Sequence, residues 1–437
     1  MTNLISRRRF VHLAGAAVAA APVLAGCSGG SSGGGGEGPI TFWSGYSTTD
    51  SNDKSKKPED FWISQAIRRF TKKTGIQVRV EALPADARMF TKIRTASLAH
   101  TGPDVANVWS GSYLLSIAPF LEPMRQYFDD REYDALSGWA AVTEGFDPKR
   151  SDRILGVPNG TDGAMVLLYN ADLVEKAGVD ASKWPQDFDS WIADLEKIKR
   201  SGVTPLTLGK FAYVFFTYDT WLAQAAGGPP GIGALNTGRN SFTDPAIVDA
   251  TTKWLRLREF CAKGAPTTED SQALQRLYNG RAAISVGGAA AIPQLRERLG
   301  KAAAVAKLPN VGPDGVDGGT VGGCGSAFIV SKDSQHKPEA VAFIKHLLSA
   351  DEQKRYAATG ESGPLVGRTD LRGVYADELV NQVQAWGVEP TNTFWPDNTF
   401  SAELVNELGT QAQLAWNGDI DAAEFLSRLN KKRDAIK

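Results

Sequence analysis

The sequence predicts an α/β protein with more than one domain, on three observations. Apolar segments of strand length alternate with segments of helical period, the pattern of a parallel sheet covered by crossover helices. The 437 residues exceed what one hydrophobic core usually sustains. The stretch Ile154 to Asn170, ILGVPNGTDGAMVLLYN, places two apolar runs on either side of one polar turn. Pro158 ends the first run because it cannot donate a ladder hydrogen bond. Asn170 ends the second and is positioned to cap a helix carrying Leu173, Val174 and Ala177.

The first 26 residues are expected to be an export address. Ser6, Arg7, Arg8, Arg9 and Phe10 fit the twin-arginine pattern, and Val11 to Gly26 is an apolar, alanine-rich segment of 16 residues. That is shorter than a bilayer-spanning helix. Leu24, Ala25, Gly26 and Cys27 match a lipobox, in which the cysteine is acylated and becomes the mature N-terminus. Each buried CH₂ of an acyl chain contributes about 0.8 kcal/mol, so several chains on Cys27 would hold the protein at a membrane. Residues 27–38 are then the lipidated cysteine and a flexible Gly/Ser tether.

ITFWS within Pro39 to Gly45 reads as the first strand and leads into a polar loop. Phe61, Trp62, Ala66, Ile67 and Phe70 follow at helical spacing, with Gly75 just beyond them. Ile76, Val78 and Val80 alternate as in a strand. Met89, Ile93 and Ala96 lie on a helix stopped by Gly102 and Pro103, ahead of a strand over Asp104 to Val108. Beyond Asn170, Asp187 can cap a helix with the stripe Phe188, Trp191, Ile192, Leu195 and Ile198. The strand VTPLTL comes next. Asp244 and Pro245 open a helix bearing Ile247, Ala250, Trp254 and Leu257. Ala282 to Val286, Ala302 to Leu308 and Ala327 to Val330 read as strands. Pro338 opens a helix with Val341, Ile344 and Leu348, and Ser349 with Glu352 forms a capping box for the next. The remaining tail is read as helical.

Composition excludes several classes. The formal net charge is -1, and loss of the three leader arginines leaves -4, so no nucleic-acid partner is expected. Hydrophobic residues at 42% and charged residues at 22% are those of an ordinary globular chain. His100, His336 and His346 lack metal-ligand spacing, and no nucleophile elbow, HExxH or phosphate-cradling loop occurs. No cofactor and no metal are expected. A pair of acids for glycoside cleavage meets only in space, so an enzyme remains an alternative. Cys261 and Cys324 are expected to be free thiols.

Four motifs in order resemble those of extracellular solute-binding proteins of the maltose-binding type, the family 1 receptors of ABC importers. The first runs from Val157, Pro158, Asp162 and Gly163 into YNADLVEKAG. Trp184, Pro185, Phe188 and Trp191 precede SGVTPLTLG, Leu277 to Ile284 reads LYNGRAAI, and Gly322, Gly323, Cys324 and Gly325 precede Ala327 to Val330. The resemblance covers most of the chain after Cys27. It implies a periplasmic-binding-protein-like type II fold, two α/β lobes with a hinge of crossing segments and a ligand cleft between them. On that reading, residues 39–155 and 289–348 form lobe one, and residues 156–288 and 349–437 form lobe two. The implied ligand is a small carbohydrate, and the implied partners are ABC permease transmembrane subunits and, through Cys27, the outer face of the cytoplasmic membrane. The receptor is expected to be a monomer. Relatives often carry a tryptophan after the glycine that follows the third motif, whereas this chain reads Val286, Gly287, Gly288, Ala289. A receptor for glycerophosphodiesters or another polyol derivative is the nearest alternative, and a glycan-processing enzyme or an adhesin lies further off.

A sugar offers apolar CH faces and a rim of hydroxyls, so its site needs flat aromatics with short polar side chains and acids. In α/β sheets such groups gather at the carboxyl ends of strands. The candidates are Trp43, Ser44, Tyr46, Asp86, Arg88, Trp109 and Ser110 from lobe one. Asn159, Thr161, Asp162, Tyr213, Tyr218, Trp221, Gly287, Gly288 and Trp395 come from the crossover and lobe two, and Gly323 and Gly325 would let the main chain approach closely. Trp62, Trp191 and Trp254 sit on apolar helical stripes and are assigned to packing. Each candidate also has a plain structural role: Trp43 as a core plug, Asp86 with Arg88 as a solvated pair, Asp162 as a turn cap.

Overall fold

The computed structural model describes residues 38–46, 56–83, 87–146, 149–180, 184, 187–312, 319–361 and 363–436. The leader, Cys27, all but Gly38 of the tether, and Asp86 lie outside the described residues. The described residues contain eleven short strands: β1 (Ile40–Ser44), β2 (Val78–Ala82), β3 (Val105–Trp109), β4 (Val157–Pro158), β5 (Val166–Asn170), β6 (Thr204–Leu206), β7 (Ala282–Gly287), β8 (Ala303–Ala306), β9 (Val321–Gly322), β10 (Ser326–Val330) and β11 (Thr393–Phe394). They form a five-stranded sheet in the order β2-β1-β3-β10-β4, a four-stranded sheet β6-β7-β5-β8, and the pair β9-β11. In the first sheet β1 is parallel to β2 and β3, while β10 runs antiparallel to β3 and β4. In the second, β6 and β7 are parallel and β5 is antiparallel to both of its neighbours.

Local chemistry accounts for the element ends. Gly75 adopts φ +78° and closes the helix Trp62–Thr74, a left-handed conformation that glycine takes without a Cβ clash. The side chains of Asn170 and Asp187 accept from the backbone N–H of Leu173 and Ser190, so both caps form as read. Ser349 does the same for Glu352.

The continuous apolar run of β5 has a simple cause. Every residue of the strand is buried, and successive side chains point to opposite faces. Leu167 and Tyr169 enter the larger core with Trp191, Trp221 and Trp254. Val166 and Leu168 enter a second cluster with Leu277, Ile292 and Val383. A third core, around Phe42, Trp62, Phe70, Phe328 and Phe343, belongs to the first sheet.

Strand β4 belongs to the first sheet and β5 to the second, so the chain passes from one to the other across the polar turn between them. Two boundaries differ. Strand β8, expected in lobe one, is hydrogen-bonded along β5 in the second sheet, so the chain does not return to the first sheet until β10. Gly287 ends β7, and Gly288 leads into a 3-10 turn over Ala289–Ala291. The helix Ala350–Thr359, expected in lobe two, puts Tyr356 and Ala357 into the first-sheet core. Glu352, 2% exposed, fixes it there through a bidentate ion pair with Arg69 at 2.7 and 2.6 Å. Burial alone would raise the Glu352 carboxyl, but Arg69 holds it below the usual range.

Leu168→Ala should cost about 2 to 5 kcal/mol, because a buried leucine is lost from a strand packed on both faces. Urea unfolding followed by tryptophan fluorescence measures it, and an unchanged midpoint would show that β5 is not central to the core.

Candidate functional site

The polar turn between β4 and β5 is held from both sides. Thr161 exchanges backbone hydrogen bonds with Leu365 at 2.8 and 2.6 Å, and the Asp162 amide donates to the Gly323 carbonyl at 2.7 Å. The Thr161 hydroxyl, fully buried, accepts from the Gly163 amide at 3.0 Å. With its backbone fixed, Asp162 turns its carboxylate toward the C-terminal segment, where Oδ2 accepts from the Trp395 indole N–H at 3.0 Å. The carboxylate needs Gly325 opposite, since a Cβ there would stand 1.9 Å from Oδ2.

Asp162 and Trp395 line a cavity of about 770 Å³. From the first-sheet side it receives Tyr46, Trp109, Tyr113, Gly325 and Ser326, and from the second-sheet side Phe211, Phe216, Asp397 and Asn398. Aromatic groups from the two sides meet one space. Trp109 and Tyr113 pack edge to face with centroids 5.1 Å apart, and Phe216 lies 5.6 Å from both Trp395 and Phe211. A second cavity, of about 610 Å³, shares Asp162, Phe216, Gly363 and Trp395 with the first and continues along the end of β7. There the main chain at Gly287 and Gly288 forms the wall. A Cβ on Gly288 would come within 2.5 Å of the Met165 methyl.

The structure thus brings together Tyr46, Trp109, Asp162, Gly325 and Trp395, with Gly288 in the adjoining cavity. Several other candidates are supports. Asn159 accepts from the Tyr46 hydroxyl at 2.8 Å, Ser44 accepts from the Tyr46 amide at 3.2 Å, and Ser110 donates to the Cys324 carbonyl at 2.5 Å. Trp43 is 8% exposed in the first-sheet core, with the Lys92 ammonium 4.3 Å over its ring. Arg88 is exposed on the helix Ala87–Leu98 and lines neither cavity. Tyr213, Tyr218 and Trp221 are core residues, corrected from site to packing. Tyr213 stacks on Trp254 at 6.0 Å, the Tyr218 hydroxyl meets Thr251 at 3.0 Å, and the Trp221 indole donates to the Pro309 carbonyl at 2.9 Å.

Sequence reasoning missed Tyr113, Phe211, Phe216 and Asp397. The helix over Ala212–Tyr218 is a π-helix, so FAYVFFTY does not follow the 3.6-residue period and its site-facing side chains are not read from an α-helical stripe. Phe211 and Tyr113 are 43% and 36% exposed, which the fold alone reveals. Asp397 lies within FWPDNTF, two residues after Trp395.

The charge in this region is negative. Burial pushes the Asp162 carboxyl up to about 6 against the Trp395 hydrogen bond. It pushes Asp397 up to about 6 as well, partly offset by the amides of Asp397 and Asn398. Asp219, fully buried behind the site, is raised well above the carboxylate range by burial and by the charge of Asp397. Neither Cys261 nor Cys324 is in a disulfide, and burial pushes each thiol up to about 12, so both are protonated at neutral pH. No group of His, Cys, Asp and Glu among the described residues is arranged to hold a metal, and no described helix is long and apolar enough to cross a membrane.

Two sheets with separate cores, a crossing strand pair and a cavity lined from both sides define a solute receptor of the periplasmic-binding-protein-like class. The chain belongs to the bacterial extracellular solute-binding proteins, whose family model matches residues 54–354. Its members are receptors rather than enzymes. Among solved structures, the solute receptor AcbH, described as having an exclusive preference for β-D-galactopyranose, superposes with a TM-score of 0.75 at 18% identity. The match covers 91% of this chain and all of that one. A probable secreted solute-binding lipoprotein from Streptomyces coelicolor gives 0.74 at 19% identity, over 91% and 99% of the two chains. An erythritol/L-threitol-binding protein of Mycolicibacterium smegmatis is 27% identical over 214 residues, 43% of each chain, so the match spans under half of that relative's length.

The raised carboxyls set a pH dependence. Asp162 and Asp397 bind protons in the folded ligand-free protein that the unfolded chain releases above its ordinary carboxylate pKa of 3.8. Their stabilising effect is therefore full below about pH 4 and is lost as pH rises through about 6. The melting temperature of the ligand-free protein should rise on going from pH 7.5 to 5, by the equivalent of roughly 1 to 3 kcal/mol. Asp162→Asn should flatten that rise. A melting temperature that falls over the same interval would show that these carboxyls are not protonated in the fold.

Proposed function

We propose that this chain is the substrate-binding lipoprotein of an ABC importer, and that it captures a mono- or oligosaccharide between two lobes and delivers it to the permease. The observation that carries the reading is a cavity into which both sides send aromatics, Trp109 and Tyr113 from one side and Phe211, Phe216 and Trp395 from the other, with Asp162 between them. Flat rings suit the CH faces of a pyranose, and a carboxylate accepts from two hydroxyls at once. The solute would be received on one side and enclosed by the other, because contacts made to both favour the closed arrangement. Water leaves on closure, and every polar contact inside gains strength. Acylated Cys27 would anchor the receptor to the outer face of the cytoplasmic membrane, and the tether would let a monomer present its cavity to the transmembrane subunits.

A short polyol is the second reading, favoured by the erythritol/L-threitol-binding relative. A phosphodiester fits less well. Among the described lining residues Asp162 and Asp397 bring carboxyls to the cavity with no basic side chain beside them, and these repel a phosphate.

A thermal-shift screen against mono- and disaccharides, polyols and glycerophosphodiesters tests the proposal. A true solute at 100 times its dissociation constant should stabilise by about 2.7 kcal/mol. A shift with phosphodiesters alone would overturn the carbohydrate reading. Trp109→Ala and Trp395→Ala should each weaken the solute found by about 1 to 3 kcal/mol in calorimetric titration. If Trp109→Ala left affinity unchanged and lowered the melting temperature, Trp109 would be a core residue.

A further inference from the structure

The cavity region carries more negative charge than its surroundings answer. Asp219, at the start of the helix Asp219–Ala226, is 0% exposed, and neither of its oxygens has a well-formed hydrogen bond, the nearest donor being the Asp397 amide. The charge acting on it is a second carboxyl, that of Asp397. Asp397 lines the larger cavity, and its Oδ1 is likewise buried without a partner. None of the described residues lining either cavity is Lys, Arg or His.

Buried carboxyls are normally hydrogen-bonded, paired with a cation or neutralised by a proton. One proton shared between Asp219 and Asp397 would cancel one charge of the two. Asp162, whose Oδ2 is bonded to the indole of Trp395 two residues before Asp397, adds a further acid to the same space. What would complete the site is a cation brought by the solute.

We propose that the solute carries a protonated amine on a polyhydroxyl frame, an amino sugar or amino polyol, and that Asp397 receives the ammonium. Asp219 stands behind Asp397 and deepens the negative potential there without touching the solute. An ammonium offers three donors, one of them for the unpartnered Oδ1 of Asp397, and its charge is also attracted to the faces of nearby aromatic rings such as Trp395. This inference rests on the cavity being the solute site. The bland alternative is that the two acids share a proton and fasten the helix Pro396–Thr399 to the helix Asp219–Ala226.

The test uses matched pairs that differ only in one substituent: glucosamine and glucose, galactosamine and galactose, 1-amino-1-deoxysorbitol and sorbitol, with N-acetylglucosamine as the uncharged nitrogen control. Calorimetric titration of the whole protein at pH 7 should find at least one amine binding about ten-fold or more tightly than its neutral partner, as expected when a buried charge gains its counter-charge. N-acetylglucosamine should behave as glucose does. Asp397→Asn should bring the ratio within that pair to about one. Asp219→Asn should lower it as well, and serves alone if the first variant does not fold. Neutral members binding as tightly as the amines would overturn this inference and leave the carbohydrate reading standing. A variant that shifts the melting temperature but leaves the amine-to-neutral ratio intact would overturn it in favour of a shared proton, and stabilisation by calcium chloride but by no amine would do so in favour of an inorganic cation. Silence from every sugar and polyol beside a clear response to a glycerophosphodiester would overturn both readings together.

Discussion

The hydrogen bond from the Trp395 indole to the Asp162 carboxylate ties the cavity together. It joins the turn between β4 and β5 to a segment more than 200 residues later in the chain, and it exists because Gly325, just ahead of β10, leaves the space empty. Three distant stretches of sequence thus depend on one another through a single polar contact. The turn itself is rigid before that contact forms, because its amides are already bonded to Gly323 and Leu365. The carboxylate is aimed by its backbone rather than by a flexible side chain. A carboxylate held this way needs little local reorganisation to accept a further hydrogen bond.

Much of this was legible from local pattern. The caps at Asn170, Asp187 and Ser349, the glycine stop at Gly75, and the apolar run of β5 depend on neighbours within a few residues, and such neighbours are visible in sequence. The membership of β8 was not, because a four-residue strand of alanine and valine suits either sheet and only its pairing with β5 decides. The helix Ala350–Thr359 was misplaced for a related reason. Its attachment rests on the pairing of Glu352 with Arg69, 283 positions away, and nothing nearby signals it.

The site divides along the same line. Trp109, Asp162 and Trp395 follow strand ends or interrupt any helical stripe, so their exposure to a cleft could be read. Tyr213 and Trp221 are aromatics near the same place, yet they pack inward against Trp254, Trp191 and Phe188. The aromatic residues that do face the cavity from that region are Phe211 and Phe216. Residue type was right and rotation was wrong, because rotation is set by a helical pitch that the sequence pattern does not declare.

That pitch has a consequence for how such a receptor changes its solute. Phe211 and Phe216 stand five positions apart, matching the i to i+5 repeat of the π-helical turn that starts between them. Removing one residue from the turn would restore ordinary α-helical winding, and because Tyr218 and Trp221 are fixed in the core the rotation would fall on the few residues before them. Phe216 would leave the cavity wall and a neighbour would take its place, with no substitution at the site itself. A single-codon deletion or insertion in this turn would thus exchange one aromatic lining residue for another, a change that position-by-position comparison of the lining would overlook.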